Sequence, residues 1–332
     1  METERDQPAL RLWILDDGRA GHSMQALGLA EAVGRLRPVE IEERPFSLKP
    51  WVAALPASLA DTIGSFFKQW PIAALASGEE LLRWPWPDVL ISTGRRSALV
   101  ASALRRRHGI TTLQILDPRL PVSAFDAVIT PTHDDLSGST VYNSVGALGR
   151  VTRDYIDAEA RSWAEELGKI PTPRLAVLVG GTSGSAEFTG QDEHRLIMAL
   201  HTLAESHTLL ITTSRRTSEA LRGKLAREFG DVAYLWTPEE GVDNPYPGLL
   251  GHVEAVLVTE DSVNMTSEAA SSGLPVHVFP VSRLAPKLGR FHQSLTEYGA
   301  SRRFTGSLQS WTSQPLAEAD RIAADLVRRG VI

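Results

Sequence analysis

Short apolar runs that end at clusters of polar residues recur along the chain, and residues 256–280 show the pattern most completely. The apolar run that opens this stretch stops at the polar cluster 259–262, helix formers fill 264–271, and a second apolar run begins at residue 276. Gly273 stands where a helix C-terminal cap is expected. This order predicts a strand, a turn, a helix and a strand, with the polar cluster at the carboxyl end of the first strand.

The same pattern predicts elements in both halves of the chain. Strands are expected at residues 10–17, 39–46, 88–94, 111–116, 127–131, 175–181, 208–214 and 233–236. Helices are expected at residues 26–36, 95–107, 191–206, 217–229 and 315–329. Strands that alternate with helices indicate parallel sheets covered on both faces. The predicted fold class is therefore α/β, with two Rossmann-like domains whose parallel sheets face a cleft.

A helix-breaking segment, KIPTPR at 169–174, divides the alternating pattern into two parts. We predict an N-terminal domain over 1–165 and a C-terminal domain over 174–312. The last segment, 313–332, is expected to form a helix that packs back on the N-terminal domain. A length of 332 residues fits two domains of ordinary size.

Composition excludes several classes of protein. The net charge of −6 argues against a dedicated nucleic-acid binder, which usually carries a basic surface. The chain has no cysteine, which excludes disulfides, cysteine–zinc sites and thiol nucleophiles. The N-terminus, METERDQPAL, lacks the apolar core of a signal peptide, and no stretch reaches the roughly 18 apolar residues that span a bilayer. We therefore expect a cytoplasmic protein, either soluble or peripheral to the inner face of the membrane.

Three turns in the second half carry glycines, hydroxyls or arginines directly after a predicted strand. Their residues are Gly180, Gly181, Thr182 and Ser183, then Ser214, Arg215, Arg216 and Thr217, and then Asp261 and Ser262. Backbone N–H groups at a helix N-terminus and arginine side chains both bind anions such as phosphate. The first turn is not a Walker loop, because no GK[ST] follows it. The alternatives are a flexible loop for the first turn and a simple helix cap for the last.

The helix predicted over 264–271 brings three side chains to one face. Ser262, Met265 and Glu268 are spaced three residues apart, which is close to one helical turn. Glu268 is placed to accept hydrogen bonds from the hydroxyls of a sugar. The alternative is a capping serine followed by a solvent-facing glutamate, a common arrangement at helix starts.

The turn after the first strand holds a candidate acid–base group. Asp17, Gly18 and Gly21 follow that strand, and His22 and Gln25 are expected near the first turns of the next helix. Histidine titrates near neutral pH, so His22 is a candidate general base. A polar capping role for His22 in an ordinary glycine turn is the alternative. The glycine spacing is not GxGxxG, which makes this a poor NAD site.

Two more segments of the first half have open interpretations. Gly94 and Arg95 follow a predicted strand and form either an anion site or a solvated basic face. Residues 47–87 are rich in proline and aromatic residues, including Phe66 and Phe67. This segment is expected to enter a membrane interface, to line an apolar acceptor groove, or simply to pack on the sheet.

The motifs together resemble one family. DDGRAGH, VLVGGTSG, SRRT, NPY and DSVNMTSEAASSGLPV occur in that order, with Lys287 and Phe291 downstream. This chain resembles a bacterial member of the mitochondrial-fission Elm ("elongated mitochondria") family, which is in turn similar to GT-B glycosyltransferases. The N-terminal turn lacks the Gly-Gly-Thr of the related enzyme that makes lipid II, so that enzyme's acceptor chemistry is not carried over.

The resemblance implies roles for the candidate residues. The turns of the second half and Glu268 would hold a nucleotide-diphosphate sugar, and Asn244 and Tyr246 would lie near its base. His22 and Asp17 would face the acceptor, with Gly18, Gly21, Gln25, Gly94 and Arg95 on the same side.

The function implied is a metal-independent glycosyltransferase that needs no cofactor. Its acceptor would be a lipid or cell-envelope glycan at the membrane surface, and no nucleic acid is expected as a partner. Two other functions fit the resemblance. One is a non-catalytic adaptor that binds a protein partner, as the plant members do in mitochondrial division. The other is a sugar-nucleotide epimerase.

Overall fold

The computed structural model describes residues 8–65, 70–78, 81, 83–238 and 244–332. The chain forms two compact units. Unit 1 contains Met1–Arg150 and Glu318–Ile332, and unit 2 contains Val151–Ala317. Over the described residues, no helix combines the length and apolar character that crossing a membrane requires.

Unit 1 is built on a six-stranded sheet in which every neighbouring pair of strands is parallel. Its strands are β1 (Leu10–Asp16), β2 (Val39–Pro45), β5 (Val89–Thr93), β6 (Thr111–Ile115), β7 (Ala127–Pro131) and β8 (Val141–Ser144). The short strands β3 (Ser47–Leu48) and β4 (Leu75–Ser77) form a separate antiparallel pair. The helices are α1 (Ala20–Gly34), α2 (Pro50–Ala54), α3 (Ala57–Ser65), α4 (Gly94–His108) and α12 (Glu318–Arg328).

The alternation of side chains along β1 explains why helices cover both faces of this sheet. Trp13 and Leu15 point into one buried cluster, which also includes α4 and the segment around α3. Leu12 and Ile14 point into the opposite cluster, which includes α1 and α12. The strand is therefore apolar on both faces, as a central parallel strand must be.

Unit 2 has a second six-stranded sheet, also parallel throughout. Its strands are β9 (Arg174–Val179), β11 (Thr208–Thr213), β12 (Tyr234–Trp236), β13 (Ala255–Thr259), β14 (Val276–Phe279) and β16 (Ser301–Arg303). The short strands β10 (Ala186–Glu187) and β15 (Arg283–Leu284) pair with each other. The helices are α5 (Arg153–Ser162), α6 (Ala164–Leu167), α7 (Gly190–Ala204), α8 (Glu219–Phe229), α9 (Tyr246–Leu249), α10 (Val263–Ser271) and α11 (Pro286–Tyr298).

Each sheet has one point at which the strand order reverses. The order in unit 1 is β2-β1-β5-β6-β7-β8, so the reversal lies between β1 and β5. The order in unit 2 is β12-β11-β9-β13-β14-β16, so the reversal lies between β9 and β13. Connections leave such a pair of strands in opposite directions, and this opens a crevice at their carboxyl ends where ligands bind.

The predicted α/β class and the parallel sheets are confirmed, and most predicted elements agree with the structure. Helix α1 begins at Ala20, six residues before the start of the predicted helical pattern, and His22 lies in its first turn as expected. The edge strands β8 and β16 were missed because they are short and largely polar. Phe66 and Phe67 lie outside the described residues.

The observed units differ from the predicted domain limits most at the end of the first domain. The sequence places the end of the first domain at residue 165, whereas α5 and α6 belong to unit 2. Ile156 and Leu167 are buried in a core cluster of that unit, which explains the assignment. Helix α12 belongs to unit 1, where Ile322 and Leu326 pack in the same cluster as α1.

Candidate functional site

A pocket of about 400 Å³ lies at the carboxyl end of the unit 2 sheet. It is lined by Leu178, Val179, Thr212, Thr213, Ser214, Arg215, Trp236, Pro238, Asn244, Tyr246, Met265 and Glu268. The lining comes from the ends of β9, β11 and β12 and from one face of α10, so the pocket lies beside the reversal point of the strand order. The structure thus brings together six of the residues that the sequence predicted to bind a sugar donor.

Glu268 reaches the pocket because of where α10 begins. Ser262 caps this helix by accepting a hydrogen bond from the N–H of Met265 at 3.3 Å. Starting the helix there places Met265 and Glu268 on the pocket side, as the predicted spacing requires. Ser262 itself is a helix cap and does not line the pocket.

The Glu268 carboxyl is unusual in its protonation. Burial raises its pKa to about 7, against the smaller opposing effect of a hydrogen bond from the Tyr246 hydroxyl. Burial and the nearby carboxylate also raise the pKa of Tyr246 well above its usual value, so the phenol keeps its proton and donates it. Near neutral pH, Glu268 is therefore close to half-ionised and can become a full acceptor when hydroxyls of a ligand approach.

Two polar atoms in the pocket wall lack a hydrogen-bond partner within the described parts of the chain. They are the Thr213 hydroxyl oxygen and the Trp236 indole nitrogen. Buried polar groups are normally paired, so these two are available to a ligand. Neither residue was among the predicted ligand-binding residues, although each lies at the end of a strand, where ligands bind in open α/β sheets.

Asn244 and Arg215 have different relations to the pocket. The Asn244 side chain accepts a hydrogen bond from the N–H of Tyr246 at 3.0 Å and so fixes the start of α9. Arg215 is exposed, and no partner for its guanidinium occurs in the described residues. Ser214 accepts from the N–H of Arg216 at 3.1 Å, which orders the turn that carries Arg215. Arg215 is the cation available to an anionic ligand here.

Four predicted ligand-binding residues instead form an internal network with Thr259 that holds the loops after β9 and β11. The N–H of Gly180 donates to Thr259 at 2.8 Å, and the N–H of Gly181 donates to the Asp261 carboxylate at 3.0 Å. Arg216 forms an ion pair with the buried Asp261 at 2.8 Å. The amides expected to bind phosphate are thus already hydrogen-bonded, because Asp261 occupies the space beside them.

The remaining predicted residues of these turns also bond within the loops. The Thr217 hydroxyl donates to the carbonyl of Gly180, just after β9, at 2.7 Å. Thr182 accepts from the N–H of Phe188 at 3.0 Å, and the N–H of Ser183 donates across the loop at 2.8 Å. These residues shape the pocket's surroundings and do not line it.

Replacing Gly181 with alanine is expected to destabilise the protein by about 3 kcal/mol, at the upper end of the cost of overpacking. An added methyl group would lie 2.0 Å from the carbonyl oxygen of Arg216, a backbone atom that cannot rotate away. Gly184→Ala in the same loop is a matched control, because nothing lies within 4 Å of its added methyl group. Chemical denaturation would measure both variants. Equal stability of the two would contradict the close packing described.

A second cluster of candidate residues lies at the reversal point of the unit 1 sheet. Asp17, just after β1, accepts a hydrogen bond from the Nδ1 of His22 at 3.2 Å. Burial would raise the pKa of Asp17, but the hydrogen bond and charge of His22, with help from Arg19, hold it below its usual value. The carboxylate therefore fixes the imidazole ring. Among the described residues, the other ring nitrogen, Nε2, has no hydrogen-bond partner, which leaves it available to a substrate.

Gly94 completes this cluster. Its φ of 74° and its closeness to the histidine both require a glycine, since an added methyl group would lie 2.7 Å from Cε1 of His22. Gly18, at φ 77°, turns the chain between β1 and α1.

Three other predicted acceptor-side residues have structural contacts away from the histidine. Gln25 is buried and donates to the carbonyl of Gly21 at 3.4 Å. Arg95 donates to the carbonyl of Ala53 at 3.0 Å, which directs it toward α2.

Two other features narrow the choice of ligand. A hollow of about 760 Å³ in unit 2 is lined by Glu159, Glu165 and Glu166 with a single lysine, so its charge disfavours an anion. In the described portion of the chain, no three histidine or acidic side chains are grouped as metal ligands. The absence of a metal requirement stays a prediction.

Sequence comparisons identify relatives over most of the chain. The sequence model of a family described as "Mitochondrial fission ELM1" matches residues 20–330. The mitochondrial fission protein ELM1 of Arabidopsis thaliana is 30% identical over 74% of this chain, which spans 65% of the plant protein. Protein RP120 of Rickettsia prowazekii (strain Madrid E) is 26% identical, over 95% of this chain and 97% of that protein.

Solved structures with the same fold include two UDP-GlcNAc 2-epimerases and a glycotransferase. The UDP-GlcNAc 2-epimerase of Methanocaldococcus jannaschii has a TM-score of 0.57 at 12% identity, over 96% of this chain and 100% of that one. The Neisseria meningitidis epimerase, solved bound to UDP-GlcNAc, scores 0.58 at 10% identity with the same coverage. The glycotransferase of kitacinnamycin scores 0.53 at 14% identity, over 98% and 100% of the two chains. At such identities the similarity shows a shared GT-B-like fold and no more.

Proposed function

The chain belongs to the mitochondrial fission ELM1 family, and on that premise we propose that it is a metal-independent glycosyltransferase that takes its sugar from a nucleotide-diphosphate sugar. The observation that carries the proposal is Glu268, half-buried in the unit 2 pocket with its pKa raised to about 7. The carboxyl group suits the ribose hydroxyls of a nucleotide. The aromatic side chains of the same pocket suit its base, and the unpaired arginine suits its phosphates.

Each part of the nucleotide has a counterpart in the pocket. The Glu268 carboxylate accepts hydrogen bonds from the two ribose hydroxyls, and ionises as it does so. The base lies against Trp236 and Tyr246, whose aromatic faces suit stacking. Arg215 and the Ser214 hydroxyl also line the pocket and stabilise the diphosphate, where negative charge grows as the sugar leaves.

The cluster in unit 1 supplies the acid–base chemistry. Nε2 of His22 accepts the proton of an acceptor hydroxyl, and the oxygen attacks the anomeric carbon of the sugar while the nucleoside diphosphate departs. The Asp17 carboxylate, at 3.2 Å from Nδ1, stabilises the imidazolium that forms. The acceptor is a membrane lipid or a cell-envelope glycan, and the reaction takes place in the cytoplasm.

Product analysis tests the proposal. The full-length protein would be incubated with UDP-, CDP-, GDP- and ADP-sugars in the presence of a membrane extract, and the products identified by mass spectrometry. A transferase releases a nucleoside diphosphate from one of these compounds and transfers its sugar to the extract. An isomerised sugar nucleotide without such release would indicate an epimerase. Complete recovery of every compound unchanged would support a non-catalytic adaptor.

A further inference from the structure

We propose that unit 1 docks on an anionic membrane through the exposed faces of α2 and α3 and the cavity beside them. This cavity of about 670 Å³ adjoins the carboxyl edge of the unit 1 sheet. Its lining includes Ala54 of α2 and Ser58 of α3, together with Arg95, Asp117 and Arg119. These two arginines and this cavity are separate from the His22 cluster. The proposal therefore does not depend on the proposed glycosyltransferase activity.

The two helices present an apolar surface. Trp51 on α2 is 55% exposed, and Leu59 and Ile63 on α3 are 46% and 37% exposed. Leu59 and Ile63 are four residues apart and share one face of the helix. Residues 50–64 contain a single charged side chain, Asp61, which pairs with Arg106 at 2.8 Å. Exposed helix faces of water-soluble proteins normally carry charges, so this uncharged face indicates a partly apolar surrounding.

The cavity next to these helices carries positive charge. Arg95 donates to the carbonyl of Ala53 at 3.0 Å, so its guanidinium lies at the end of α2. Arg119 is 71% exposed and retains one ion pair, with Asp117 at 3.1 Å. Arg119 and Leu116 have φ values of 57° and 65°, a conformation that is unfavourable for residues with a side chain. A loop held in this way is often retained because it positions a side chain, here Arg119 at the cavity rim.

An anionic membrane has the chemistry that both features require. Tryptophan and aliphatic side chains enter the boundary between headgroups and acyl chains, where an amphipathic helix lies parallel to the surface. Arginines next to such a helix attract the phosphates of anionic lipids. Ala54 of α2 and Ser58 of α3 line the same cavity as both arginines, so the helices that carry the apolar side chains lie beside the positive charges.

Vesicle flotation tests the proposal with the full-length protein. We expect binding to vesicles of phosphatidylcholine mixed with phosphatidylglycerol, and much weaker binding to phosphatidylcholine alone. The double variant Leu59→Asp, Ile63→Asp should bind at least about tenfold more weakly, since two apolar contacts are lost and two charges are repelled. Arg119→Gln should weaken vesicle binding about fivefold at low salt and only slightly at high salt. Met198→Asp, which alters a residue 54% exposed on α7 of unit 2, is the matched control and should bind as the unaltered protein does.

Folding is checked by thermal unfolding, and the milder pair Leu59→Ser, Ile63→Ser replaces the aspartate variant if that one unfolds. Nucleotide binding by unit 2 should persist in every folded variant, which separates this proposal from the assigned activity. Absence of vesicle binding by the unaltered protein, or equal binding by the double variant, would overturn the proposal. A dimer that the double variant converts to a monomer, without vesicle binding, would assign the face to a second copy of the chain instead.

Discussion

Replacing Glu268 with glutamine is expected to weaken the binding of a nucleoside diphosphate at pH 8 by about tenfold to a hundredfold, the range for loss of a hydrogen bond to a charged group. The reason is that an ionised carboxylate offers two strong acceptor oxygens to the ribose hydroxyls. An amide offers one weaker acceptor, and its NH₂ group cannot accept. The glutamine keeps the hydrogen bond with Tyr246, because its amide oxygen accepts from the phenol hydroxyl.

The same substitution should make the free protein more stable at alkaline pH. The pKa of Glu268 is about 7 in the folded state, against 4.5 for an ordinary glutamate. Between these values the folded protein holds a proton that the unfolded chain has lost, so stability falls as the pH rises from 4.5 toward 7. The glutamine has no such proton, so its advantage is full above pH 7 and absent below pH 4.5. A substitution that raises the stability of the free protein and lowers its affinity for a ligand is the result expected at a ligand-binding residue.

Nucleotide affinity should also depend on pH through this group. Binding requires the carboxylate, so the affinity should rise as the pH increases toward 7 and become constant above it, with a slope approaching about tenfold per pH unit on the acid side. Glu268→Gln should remove this slope. Calorimetric titrations at several pH values would measure it, with Glu205→Gln, an exposed residue of the same unit, as the control. An unchanged affinity in Glu268→Gln would rule out the assigned role.

Replacing His22 with alanine is expected to lower the rate of sugar transfer by about a hundredfold to ten-thousandfold, the usual contribution of a positioned general base. Affinity for the nucleoside diphosphate should not change, because His22 belongs to unit 1 and the pocket belongs to unit 2. Asp17→Asn should reduce the rate as well, since the amide neither fixes the same ring tautomer nor stabilises the imidazolium.

Steady-state kinetics of nucleoside diphosphate release would measure these effects once an active sugar nucleotide is identified. His201→Gln provides the control, since this histidine is 47% exposed in unit 2 and pairs only with Glu228 at 3.4 Å among the ion pairs of the described residues. A His22→Ala variant that releases nucleoside diphosphate at the rate of the unaltered protein would exclude His22 as the base. If the His22→Ala variant instead loses nucleotide binding, the substitution has disturbed the fold of the protein.

Local sequence pattern was sufficient where a feature depends on neighbouring residues. The position of Glu268 follows from the capping serine six residues before it, and the structure places α10 from Val263 to Ser271 as the pattern requires. The parallel strands follow from apolar runs in the same way. These features need only the period of a helix or a strand to be recognised.

Features that depend on distant residues were not accessible in that way. The N–H of Gly181 meets Asp261, 80 positions away, so no local motif reveals that this amide is already hydrogen-bonded. Trp236 reaches the pocket because β12 pairs with β11, with Trp236 opposite Thr212. Only the strand order of the folded sheet brings these residues together, and their sequence neighbours do not encode it.

A crystal structure of the full-length protein soaked with the nucleoside diphosphate that binds most tightly is the most direct test of the central claim. The account predicts the nucleotide in the unit 2 pocket, with both ribose hydroxyls within hydrogen-bond distance of Glu268 and the diphosphate beside Arg215. A nucleotide bound elsewhere, or one whose ribose lies away from Glu268, would contradict it.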